Sequence, residues 1–184
     1  VGAKKLSDNV FRVKDETLLK IQGLFGPNAS GKSNILKAVA SCARIILESY
    51  LYNEGVQFNF VPFKFDGYSA KPSSFFIDFI TDGIEYEYSF SLNRNEIITE
   101  ELYYYPGKRK VKIFTRNEHA GNTKANIYSF GEGLLIKPMD VAQSTGKNTL
   151  FVSRASQMDR DVAKKIYNFF RTELYIGLPS GRYA

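Results

Sequence analysis

The chain has 184 residues, 43% hydrophobic and 24% charged, which suits one water-soluble domain with a real core, and no apolar run approaches a membrane span, so no membrane partner is expected. A single cysteine, Cys42, excludes an internal disulfide, fits a reducing cytoplasm, and reads as a small buried thiol on a helix. The formal charge of +6 favours an anionic partner, DNA or RNA first, while Lys4, Lys5, Lys108, Arg109, Lys110 and Lys112 suit solvated faces and turns equally well.

Thr17 to Leu24, "TLLKIQGL", predicts a short buried strand ending in a glycine-rich turn. From Lys32 to about Leu51, Ile35, Leu36, Val39, Ala40, Ala43, Ile46, Leu47 and Tyr50 recur at helical spacing. The first segment, 17–51, is therefore strand, glycine loop and helix.

The segment 58–131 has another texture. Ile84, Tyr86, Tyr88, Phe90 and Leu92 alternate with Glu85, Glu87, Ser89 and Ser91, the period of a half-buried strand. Asp82-Gly83 lies between two such runs and predicts a hairpin. "EIITEELYYYP" and "RKVKIFTR" continue an antiparallel meander around Pro106-Gly107, and "ANIYSF" adds another strand. The aromatic residues here serve packing and cross-strand pairing, or a base-stacking surface. His119 stands alone in the polar loop "HAGNTKAN", so neither a metal nor a catalytic role is assigned to it. In the segment 149–174, "NTLFVS" reads as a strand and "DRDVAKKIYNFFRTEL" as an amphipathic helix capped by Asp159.

Gly26-Pro27-Asn28-Ala29-Ser30-Gly31-Lys32-Ser33 fits G-x-x-x-x-G-K-[ST] at every fixed position. Glycines at both ends permit backbone conformations in which successive N–H groups point at phosphate oxygens. Lys32 supplies a mobile cation for the β and γ phosphates, and the Ser33 hydroxyl is the candidate ligand for Mg²⁺. The helix that starts here adds its positive end to the same site. The expected fold class is α/β, a P-loop NTPase, with ATP and Mg²⁺ as cofactors. Asp78, in "FFIDF", is the best in-chain acid for a metal role, but it sits in an alternating run without a second acid and reads as a structural strand residue. "KPMD" has the wrong spacing for guanine recognition, which argues against a small GTPase.

"GPNASGKSN", with Asn28 inside the loop and Asn34 after it, resembles the ABC-type ATPase heads of the SMC, RecF and OLD families. The order of elements is most similar to the ABC-like, AAA-type ATPases of bacterial phage-defence and abortive-infection loci, through "VPFKFD", "FFIDFITDGIEYEYSFSLNR", "ELYYYP" and "NTLFVSRASQ". The resemblance implies an ABC-type N-terminal lobe whose Gln157 occupies the place of the Q-loop glutamine, contacting Mg²⁺; the other reading is a surface glutamine. It also implies a homodimer with ATP between two heads, coupled to a DNA-directed or protein effector such as a nuclease domain. The signature motif, the acidic strand-end pair and the switch histidine of those heads are not recognisable here, and "LPSGR" is only superficially similar to a signature sequence. The expectation is therefore a single lobe, residues 1–184, of a longer ATPase. A nucleotide-gated regulatory module without turnover is the competing function, and a small kinase is a third, although its lid arginines are not identifiable.

Overall fold

The computed structural model describes residues 7–13, 16–59, 67 and 71–176. Lys4, Lys5, "VPFKFD" and "LPSGR" lie outside the described residues. Strands β1 (Val10–Val13) and β2 (Glu16–Leu19) form an antiparallel ribbon, followed after the phosphate loop by α1 (Lys32–Glu48). A five-stranded antiparallel meander comes next: β3 (Ser73–Thr81), β4 (Ile84–Leu92), β5 (Ile97–Tyr105), β6 (Val111–Asn117) and β7 (Tyr128–Phe130), paired in chain order. A single turn, α2 (Lys124–Ile127), precedes β7, and three helices complete the described chain: α3 (Pro138–Ser144), α4 (Phe151–Gln157) and α5 (Asp161–Asn168). No described helix is long and apolar enough to cross a membrane.

The meander follows from its alternation. Tyr86, Tyr88, Phe90 and Leu92 on β4 are buried and face the core, while Glu85, Glu87, Ser89 and Ser91 share the opposite face. Asp82 and Gly83 close the first hairpin with φ of 51° and 71°, the left-handed pair that a tight two-residue turn demands. On the core side, Phe79 stacks on Phe169 at 4.4 Å, and Phe114 meets Phe151 of α4 at 4.6 Å. Burying rings of this size contributes about 1.5–3 kcal/mol each, so the helical layer is held to the sheet mainly by aromatic contacts.

Four sequence expectations fail locally. The run 17–24 is not a buried strand: β2 ends at Leu19, pairs only with β1, and leaves Ile21 82% exposed. An apolar run becomes a buried strand only when neighbours cover it, and none does so among the described residues. "NTLFVS" is not a strand either, because α4 starts at Phe151. Its first N–H groups are taken by a carboxylate from another element: Phe151 and Val152 donate to Glu100 of β5 at 2.6 and 3.0 Å. Asp159 does not cap α5. Arg160 holds the cap position, while Asp159, at φ 66°, pairs with Lys164, whose ammonium holds its carboxyl below the usual range. The helix predicted over 159–174 is a shorter α-helix that ends in a π-turn at Phe169–Glu173.

One close approach fixes the end of the meander. The Gly131 N–H donates to Ile113 O at 2.8 Å, and a Cβ at Gly131 would stand 1.9 Å from Lys112 O. The β6–β7 edge tolerates no side chain there. Gly131→Ala is expected to lower stability by about 1–3 kcal/mol, the usual scale of forced overpacking. Urea unfolding checks this; a midpoint equal to that of the parent protein would show that the strands separate freely.

Candidate nucleotide site

Two ends of α1 have different tasks. Its C-terminal end is fastened to the core. Ser49 Oγ accepts from Leu150 N at 3.1 Å, Thr149 Oγ1 donates to Ser49 O at 3.1 Å, and Tyr167 Oη donates to Leu47 O at 3.1 Å. Cys42, Ala43, Ile45 and Ile46 are buried along this half, and burial pushes the Cys42 thiol up to about 12, so it remains a neutral thiol at neutral pH. The N-terminal half stands outside the core, with Ile35 54% exposed, and carries the loop. Residues 21–30 are exposed throughout.

Of the two glycines that bound the loop, Gly31 is left-handed and Gly26 is not. Gly31 is the N-cap of α1 at φ 90°, and its carbonyl accepts from Asn34 N and Ile35 N at 2.9 and 3.1 Å. Ala29 is also left-handed at φ 62°, a position that costs a residue with a Cβ roughly 1–2 kcal/mol. Ser30 N closes on Pro27 O at 3.4 Å, so Pro27 to Ser30 make one tight turn. A Cβ on Gly26 would come within 3.1 Å of Ser30 Oγ, tighter than ordinary contact.

Lys32 folds back over this turn. Its ammonium donates to Gly26 O at 2.7 Å, Pro27 O at 2.5 Å and Ser30 Oγ at 3.3 Å. Ser33 and Asn34 follow on the first turn of α1 and are exposed. The arrangement concentrates positive potential at one point: a mobile ammonium and the unpaired N–H groups at the start of a 17-residue helix. These groups fit a polyphosphate. The glycine-bounded turn is exposed, the cation already lies on the loop, and Ser33 adds an exposed hydroxyl at the start of α1.

The other sequence candidates fall elsewhere. Gln157 is the last residue of α4, exposed, with Nε2 donating to Ser156 Oγ at 3.2 Å. The strand that the Q-loop reading placed before it is a helix, and no hydrogen bond joins Gln157 to residues 26–34 among the described residues. Asp78 points to the outer face of the sheet opposite Glu87; partial burial, Glu87 and Glu85 raise its carboxyl above the ordinary range. His119 is exposed, and its ring meets Glu96 at 3.1 Å. Among the described residues no group of His, Cys, Asp and Glu is arranged to hold a metal ion. Of the basic turn, Lys110 is paired with Glu87 and lies 4.0 Å over the Tyr103 ring, leaving Lys108 and Arg109 exposed at the tip.

Sequence reading missed the largest polar feature of the core. Glu100 and Arg116 face each other across β5 and β6, both fully buried, with Nη1 and Oε2 3.7 Å apart. Arg116 also donates to Thr149 O at 2.7 Å and binds Glu118 at 2.8 Å, while Tyr88 Oη donates to Glu100 at 2.8 Å. Burial pushes the Glu100 carboxyl above its ordinary range against the pull of Arg116 and of the Phe151, Val152 and Tyr88 donors. This network ties the sheet to the start of α4, which in turn holds the end of α1. The loop-bearing helix is thus cantilevered from a rigid base.

No curated protein and no solved structure matches the chain significantly. A family model described as "AAA domain, putative AbiEii toxin, Type IV TA system" matches residues 21–183, from just before the loop through every helix described above. With that match added to the loop geometry, the chain belongs to this family and is one of its P-loop ATPase domains.

Proposed function

We propose that the chain binds ATP with Mg²⁺ between Gly26 and Ser33 and serves as one head of an ABC-type ATPase. The observation that carries this reading is the Lys32 ammonium held over a glycine-bounded turn at the start of α1. Loop backbone N–H groups and Lys32 bind and orient the phosphates, and Ser33 holds the metal. Mg²⁺, when bound, neutralises phosphate charge and draws electrons from the bond to be cleaved.

The continuous exposure of residues 21–30 supports the second half of the proposal. A loop open on its outer side leaves one flank of a triphosphate for a second head to cover. ATP then drives assembly through its higher affinity for the closed pair. No described hydrogen bond or ion pair joins a carboxylate to Lys32, and the general base for hydrolysis is supplied from outside the loop. The family's description as a putative abortive-infection toxin of a type IV toxin–antitoxin system supports a setting in phage defence.

Light scattering of the full-length protein with a non-hydrolysable ATP analogue and Mg²⁺ tests the paired-head reading. The mass is expected to double when the analogue is added. A monomer with and without analogue, in a protein that demonstrably binds it, would contradict head pairing, and absence of steady-state turnover in the full-length protein would favour the regulatory module.

A further inference from the structure

The end of α1 opposite the phosphate loop, about 25 Å away by helix length, borders a second cavity. It has a volume of about 620 Å³ and lies between Tyr52–Glu54, the segment around α2, and the 144–149 turn that leads into α4. That volume is within the range of small-molecule sites.

Its walls carry more cations than carboxylates, and the carbonyls of the 144–149 turn are largely taken. The turn carbonyls are already committed: Thr145 O to Lys124 Nζ at 2.9 Å, and Gly146 O and Thr149 O to Arg116 at 3.2 and 2.7 Å. Asn53 O, on the opposite wall, accepts from Asn148 Nδ2 at 2.8 Å. Three cations line the space, Lys124, Lys147 and Arg154, against two carboxylates, Glu54 and Glu118. Glu118 is already bound to the Arg116 guanidinium at 2.8 Å behind the wall.

The remaining cationic groups are incompletely used. Among the described residues, Arg154 Nη2 donates only to Tyr50 O, at 3.3 Å. The Lys147 ammonium is exposed and makes no hydrogen bond or ion pair among the described residues. Burial holds the Lys124 ammonium below its ordinary range, with Glu118 opposing the shift and Arg116 and Lys147 adding to it. Three cations face two carboxylates, of which Glu118 already binds Arg116, and that balance suits an acceptor-rich anion.

We infer that this cavity is a second ligand site, separate from the phosphate loop, for a small phosphate-bearing solute no larger than a mononucleotide. The ligand's oxygens sit among Lys124, Lys147 and Arg154. Because the site shares no residue with the loop, it stands whether or not the loop binds ATP.

The test uses the full chain carrying Lys32→Ala, which silences the loop, titrated calorimetrically with inorganic phosphate, pyrophosphate and AMP. Saturable binding of at least one probe is expected, with amide shifts centred on 145–149. Adding Lys147→Gln, a surface change that leaves the fold intact, should weaken that binding about tenfold, the scale of one charge-assisted contact. Preference for phosphate or pyrophosphate identifies the bare anion as the ligand, and preference for AMP identifies a nucleotide. The inference is overturned if none of the three probes saturates at millimolar concentration, or if Lys147→Gln changes nothing. Binding confined to a duplex oligonucleotide also overturns it, because the surface then serves nucleic acid.

Discussion

Replacing Lys32 with alanine is expected to weaken ATP·Mg²⁺ binding about tenfold to a hundredfold while leaving the protein folded. Among the described residues the ammonium is the one side-chain cation bonded to the loop, with contacts to Gly26 O, Pro27 O and Ser30 Oγ. On binding, it exchanges those neutral acceptors for phosphate oxygens. A charge-assisted contact of that kind is worth roughly 1.5–3 kcal/mol, which sets the range of affinity loss. The fold should survive because the packing of α1 lies at its other end, around Ile45 and Ile46. Equilibrium titration with a fluorescent ATP analogue measures the effect, and circular dichroism controls for folding. Parent-like affinity in a folded Lys32→Ala protein would remove the loop from the site.

Arg116→Ala is expected to cost about 3–5 kcal/mol of folding stability, the usual penalty for breaking a buried ion pair from one side. The substitution strands Glu100 and Glu118 in the core without their cation and leaves the Gly146 and Thr149 carbonyls short of a donor. The turn before α4 would lose its anchor, and with it the C-terminal clamp on α1. The loss should therefore reach the nucleotide site indirectly, as weaker affinity alongside a lower urea midpoint. A stability change below about 1 kcal/mol would mean that water reaches this network and that the sheet does not depend on it.

The elements with strong local signals were legible in the sequence. Alternation over 84–92 and the Asp82-Gly83 pair gave the hairpin, and the i, i+3, i+4 pattern from Ile35 gave α1. The phosphate loop was legible because its chemistry is local: two glycines, a lysine and a hydroxyl within eight residues. What failed depended on distant partners. The start of α4 is stabilised by Glu100, about 50 residues earlier, and nothing within "NTLFVS" announces that carboxylate. A partial signal did exist, since Phe151 and Ala155 fall on one helical face. Glu100 itself was visible as a charged residue on the same strand parity as Leu102, a departure that marks a buried polar pair. Ile21 and Phe25 show the converse: an apolar run states a demand for cover, and only the surrounding chain decides whether it is met.

The central claim is that the 26–34 loop receives the nucleotide. Adding ATP·Mg²⁺ to ¹⁵N-labelled protein and following the backbone amides tests it most directly. Gly26 to Asn34 should shift first and furthest, with smaller changes along the first turn of α1, and the shifts should saturate at one equivalent. Saturable ATP binding that leaves those amides in place while moving others would contradict the assignment.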